Sequence, residues 1–345
     1  MARETPQKPP SDTPSEDAES KPPTRLGGGW RVARRVLPWL VAAGLLTWVF
    51  WGVPLQDFVD ALGRGQFTWY VPAMLVCMTC IFLADTVAIS KTFSWFTTHI
   101  PFRTVLKIRG ASYLMSVINY NLGQGAIVVF AKRAKGVPYG RAAGTVLLLM
   151  GVSLVVLILL STVGLFVSDA PKAMAFRPYV IALLSAFGVY LIIVAVKPRF
   201  LARWSVAQPM LDAGLGGHLA AIAVRFPHLL LVFSAHYMTM RAFGIDIPVL
   251  AFVSTMPFIS LMSAIPISPQ GLGTTQYAAV YFFASFAPGT VAEQKATVLA
   301  YSLTTSVLAI LFMLTTGLVF LRSGMELLRL DDRKKGGKAG KQGQG

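Results

Sequence analysis

From Ala143 to Val167 the chain carries no ionisable residue. A helix needs roughly 20 apolar residues to cross the hydrocarbon core of a bilayer, and this run supplies them without a break. Comparable runs occupy Val36–Val53, Thr68–Ser90, Pro178–Val196, Leu219–Arg241 and Ala296–Leu321. Such runs leave few folds open. They are continuous rather than alternating, which argues against a β-barrel. Charged residues make up 13% of the chain, about half the share of a soluble domain. The fold class is an all-α polytopic membrane protein with about six full spans.

The net charge is +16. In a soluble protein that would suggest a nucleic-acid partner. Here the basic residues cluster beside apolar runs, where they set topology and meet anionic headgroups. No nucleic-acid-binding motif is visible. Residues 1–29 are rich in Pro, Ser, Lys and Glu and read as a disordered cytoplasmic segment. They do not read as a signal peptide, because the charged lead is too long. Residues 322–345 read as a basic cytoplasmic tail, with the transmembrane domain spanning 30–321.

Cytoplasmic loops collect Lys and Arg. Arg31, Arg34 and Arg35 therefore put the N-terminus inside, and Trp48 and Trp51 mark the outer interface. Lys91, Arg103, Lys107 and Arg109 put residues 91–109 inside as well. The next apolar stretch, 110–131, is followed by Lys132, Arg133 and Lys135, so it is basic at both ends. If it crossed, the basic segments 131–142 and 197–217 would both lie outside. If it enters from the cytoplasm and returns, both lie inside. The second reading fits the charge bias better. A second irregular segment follows Val249–Ile265, where Pro266, Pro269, Gly271 and Gly273 preclude a continuous helix. With two re-entrant hairpins, both termini are cytoplasmic. Residues 30–167 and 178–321 then share the order span, span, hairpin, span. Each half has an odd number of crossings, which predicts an inverted repeat, a transporter architecture.

Irregular backbone at membrane depth needs protein or a wet cavity to satisfy it. Gly123 and Gly125 are expected at the first hairpin tip, beside Asn119, Asn121 and Gln124. Pro266, Pro269, Gly271 and Gly273 are expected at the second, beside Gln270, Thr274 and Gln276. The half-helix N-termini could accept an anion. The alternative is that these amides and hydroxyls only cap one another. Asp85 and Arg225 interrupt apolar spans, and ionisable groups at that depth pair or line a pathway, so the two are expected to be neighbours. The alternative is that each snorkels to the interface. Lys132 and Arg133 could receive a headgroup phosphate, or only enforce topology. His228 and His236 share the Arg225 span and read as hydrogen-bonding groups within the bundle, the alternative being a proton relay or a headgroup contact. Cys77 and Cys80 form a CxxC inside an apolar run, where packing suits them better than redox or metal chemistry. Gly140 and Gly144 form a GxxxG suited to close helix packing. No catalytic motif, metal-ligand spacing or cofactor fingerprint is present.

Two stretches together carry a resemblance. SYLMSVINYNLGQGAIVVFAKRAKGVPYGRAAGTVLL, and ISLMSAIPISPQGLGTTQYAAVYFF further on, resemble the two blocks of the lysylphosphatidylglycerol synthase transmembrane region, a flippase-like integral membrane family. The resemblance covers roughly residues 36–321. It implies a helical membrane domain that moves, or helps move, lipids between leaflets. It does not imply the soluble aminoacyl-transferase activity of the best-known members. The chain departs from the family where Gln124 and Gln276 stand in place of the acidic residues common there. The expected function is a non-enzymatic lipid-translocating or lipid-handling protein of the cytoplasmic membrane. Its expected partners are membrane lipids, chiefly anionic headgroups. The alternatives are an accessory subunit of a lipid or polysaccharide synthase, and a small-solute or ion transporter.

Overall fold

The structure is a computed structural model and describes residues 28–167, 174–264 and 271–342. The expected disorder of the N-terminal segment falls outside it, apart from the last residues of that segment. So do Pro266, Pro269 and Gln270. The chain divides into two units at Leu37 and Pro38. In the first, the described residues form the opening turns of a helix; all that follows concerns the second.

Among the described residues every regular element is helical. Helices α1 (Gly28–Phe50), α2 (Leu55–Gly63), α3 (Phe67–Phe96), α4 (Phe102–Ile118), α5 (Tyr120–Lys135) and α6 (Tyr139–Val167) make the first half. Helices α7 (Arg177–Val196), α8 (Arg199–Ala202), α9 (Gln208–Ala242), α10 (Val249–Ala264), α11 (Thr274–Phe283) and α12 (Val291–Gln342) make the second. Five of these, α3, α6, α7, α9 and α12, are long and apolar enough to cross a membrane. The apolar part of α1, Trp39–Phe50, turns through 91° into α2, and counting that bent pair as one span gives six. The protein is thus an all-α polytopic membrane protein.

Two boundaries differ from expectation. The connection after the first span contains α2, whose Asp57 and Asp60 flank an apolar stripe that packs on α12. Residues 91–109 are largely helical. Helix α3 runs on to Phe96 and α4 starts at Phe102, straight after Pro101. Pro lacks an N–H that an interior turn would need, so it suits a helix start.

Helix directions follow from which residues meet. Along α3 and α9, Tyr70 meets Thr239, Cys77 meets Leu231, Ile81 meets His228, and Asp85 meets Arg225. One number falls as the other rises, so the two helices are antiparallel. Between α6 and α9, Arg141 meets Asp212 and Ser153 meets Arg225; these two run parallel. Ser116 of α4 abuts Gly123 of α5, just across the break at Asn119. The α4–α5 pair is therefore a hairpin whose ends lie at the same end of the bundle.

Two packing arrangements recur between the halves. Helix α4 lies on α12 as α10 lies on α6, and α5 lies on α6 as α11 lies on α12. Small residues permit the close approach of α4 and α12: Gly110 sits under Phe320, and Gly317 against Leu114. Gly140 and Gly144 also serve close packing, against Ser205 and the Val206 carbonyl ahead of α9. Two large apolar clusters fill the bundle, with a smaller one around Leu148, Val152 and Ala221. Of the large two, one is built around Tyr70, Met240, Phe258, Phe283 and Tyr301, the other around Phe93, Ile100, Ile108 and Ile127.

Candidate functional site

A layer of charge lies between the two large apolar clusters. Asp85 of α3, Arg109 of α4 and Arg225 of α9 are each nine-tenths or more buried. Arg109 donates through Nε to one carboxylate oxygen of Asp85, and Arg225 donates through Nη1 to the other. Arg225 Nε also donates to Ser153 Oγ at 2.8 Å. The Arg109 guanidinium lies over the Tyr113 ring, 4.6 Å from its centroid, a favourable cation–π geometry. At 1.5 Å per residue, Asp85 stands about 16 Å from the Phe96 end of α3, which is about half the thickness of a hydrocarbon core.

The charges do not balance. One carboxylate faces two guanidinium groups, leaving a net positive charge at membrane depth. Each guanidinium has five N–H donors, and the carboxylate takes one from each. Burying an uncompensated ion is costly, so the cluster is suited to an anion that completes it.

Beside the cluster lies a cavity of about 190 Å³, lined by Met74, Met78, Tyr113, His236, Thr305 and Met313 among others. Tyr113 belongs both to this lining and to the charge layer. His236 faces the Tyr301 hydroxyl at 3.3 Å, and His228 faces the Ile81 carbonyl at 3.2 Å. Cys77 Sγ lies 3.5 Å from the Leu231 carbonyl.

Of the residues singled out from sequence, Asp85 and Arg225 are in contact. Arg109, read from sequence only as one of the basic residues that put 91–109 inside, belongs with them. The hairpin residues make other hydrogen bonds. Asn119 is the break itself, with φ −160° and ψ 133°, and its side chain caps α5 by accepting from the Asn121 N–H at 2.8 Å. Asn121 is exposed and Gln124 half-buried. Gly123 and Gly125 are not hinges: both lie inside α5. Gly271 and Gly273 do occupy the second break, at φ 70° and 85°, a region that disfavours side chains. Gln276 is fully buried. Its Oε1 accepts from the Gly273 N–H at 2.7 Å, and its Nε2 donates to Ser306 Oγ at 3.2 Å. Thr274 donates to the Gly271 carbonyl at 2.9 Å. One amide at each break, the Asn121 N–H and the Gly273 N–H, is thus taken by one of the protein's own side chains, and the surplus positive charge of the buried layer sits on the arginines. Lys132 and Arg133 close the far end of α5, with Lys132 5.6 Å from the Tyr139 ring centroid.

These features define a helical membrane protein with a charged layer buried among its spans. Residues 35–317 match the profile of the lysylphosphatidylglycerol synthase transmembrane region. The chain belongs to that family, and so to a lipid-related class of integral membrane proteins. Comparison with curated proteins and with solved structures gives no match.

Proposed function

We propose that this protein carries lipids between the leaflets of the cytoplasmic membrane, its buried cluster taking the anionic headgroup while the acyl chains stay in hydrocarbon. The observation that carries this is the shared carboxylate of Asp85, which leaves Arg109 and Arg225 with one positive charge between them. A phosphodiester is a monoanion with oxygens to accept the spare N–H groups, and charge-assisted bonds to such a group are strong. The antiparallel course of α3 and α9 supports α4–α5 and α10–α11 as re-entrant hairpins from opposite faces. The paired packing of the two halves supports an inverted repeat. Charge bias favours a cytoplasmic location for Lys107, Lys135, Lys197 and Arg203, and for both termini. On this reading the membrane domain performs no covalent chemistry.

The test is leaflet exchange of fluorescent phosphatidylglycerol in proteoliposomes, followed by quenching of the outer leaflet with dithionite. The parent protein speeds exchange over protein-free vesicles. Arg225→Gln and Arg109→Gln each lower that rate by an order of magnitude, because each removes the surplus charge. Parent protein no faster than empty vesicles, or variants as fast as the parent, overturns the reading.

A further inference from the structure

The repeat packing is uneven, and one weak seam adjoins the charge layer. Helix α9 of the second half packs closely on α6 of the first, through Ser153, Asp212 and the cluster of Leu148, Val152 and Ala221. The equivalent pair, α3 of the first half and α12 of the second, barely touches. They meet near one end, where Tyr70 lies beside Thr305. They meet again towards the other, where the Phe82 and Phe320 rings lie 6.0 Å apart. Tyr70 and Phe82 are about 18 Å apart along α3 at 1.5 Å per residue. Between them the seam is hollow on both sides. The inner hollow is the 190 Å³ cavity. The outer is a groove of about 480 Å³, lined by Leu75, Thr79, Leu311, Thr315 and Val319 among others. Phe312, half-buried, is common to both linings.

We propose that the α3–α12 seam is a lateral portal for one acyl chain of a membrane phospholipid, and that Phe312 is its gate. The occupant follows from position. The outer groove runs along two apolar spans, so the medium against it is hydrocarbon, and acyl chains are what that medium contains. The inner wall suits a chain as well. Met74, Met78 and Met313 are unbranched and polarizable, and adapt to irregular apolar ligands. The portal also leads to the right chemistry. Its inner hollow ends at Tyr113, whose ring carries Arg109, and Asp85 lies one turn beyond Phe82 on α3. A phospholipid entering sideways would bring its phosphate to the charge layer while its tail remained in the seam. This rests on the lipid-carrying reading and adds the route.

The experiment is photo-cross-linking in vesicles of phosphatidylcholine and phosphatidylglycerol containing a phospholipid with a diazirine in mid-chain. Adducts are mapped by mass spectrometry on the full-length protein. Adducts are expected on Met74, Met78, His236 or Met313 as well as on the outer groove. Phe312→Ala raises the inner adducts several-fold and Phe312→Trp lowers them several-fold, while adducts at Leu75 and Val319 stay constant. Adducts confined to the outer groove in the parent overturn the proposal, as do inner adducts indifferent to both substitutions. Occupancy is read without transport, so the two readings fail separately. Inner adducts in a protein that moves no lipid retain the portal and remove translocation. Lipid movement without inner adducts removes the portal alone.

Discussion

Asp85 holds two arginines that would otherwise repel each other, and this makes the three residues unequal. Removing Arg225 leaves Asp85 and Arg109 as a neutral pair. Removing Asp85 leaves two buried guanidinium groups with no counter-charge. Breaking a buried pair in that way costs about 3–5 kcal/mol. Asp85→Asn is therefore expected to lower thermal stability in detergent far more than Arg225→Gln, and the double variant to recover part of the loss. An Asp85→Asn protein as stable as Arg225→Gln would mean the carboxylate does not neutralise both arginines. Asp85 and Arg225 were legible in the sequence because each interrupts an apolar run. Arg109 was not, because Lys107 and Arg103 precede it and the trio reads as a basic stretch that only sets topology. A signal was available in Ser112, Tyr113 and Ser116, which follow Arg109 at helical spacing and share its buried face.

The hairpins show why glycine misleads when a break is sought in sequence. The α4–α5 turn needs only one extended residue, at a φ that any side chain adopts. It falls on Asn119 because an asparagine can cap the helix that follows. Gly123 serves a different purpose. A Cβ there would strike Ser116 Oγ, so glycine lets the two arms close. At Gly125, two residues on, an added Cβ would meet nothing within 4 Å. The two should separate cleanly. Gly123→Ala is expected to cost about 1–3 kcal/mol by overpacking, with partial recovery when Ser116→Gly is added. Gly125→Ala is expected to gain about 0.5–1 kcal/mol, since alanine loses less entropy in a helix. Thermal unfolding in detergent checks both, and equal effects would mean the arms do not meet at Gly123. At the second break, Gly271 and Gly273 do hold left-handed backbone, so there the sequence signal and the geometry coincide.

The direction of each helix ties the bundle to its charge. Taking α3 as inward, α9 must run outward, because the two are antiparallel. Helix α6 runs with α9 and so also outward. Only a pair α4–α5 that returns to the end it left can join an inward α3 to an outward α6. That gathers Lys107, Lys135, Lys197 and Arg203 at one end of the bundle, and leaves Asp57, Asp60, Asp246 and Glu293 among the charges at the other. The order of spans was legible from apolar runs. The asymmetry of the α3–α12 seam was not, because it depends on which faces fail to meet, and a single run of apolar residues does not record that. The arrangement makes a prediction about sidedness. With Cys77 and Cys80 replaced by alanine, single cysteines are introduced as Lys135→Cys, Phe200→Cys and Thr290→Cys, all at exposed positions. A membrane-impermeant maleimide on intact cells is expected to label position 290, and to reach 135 and 200 only after the membrane is opened. If α4 and α5 instead made one crossing, every later helix would be inverted. Positions 135 and 200 would then label in intact cells, and the central cavity would lose the hairpin that forms one of its walls.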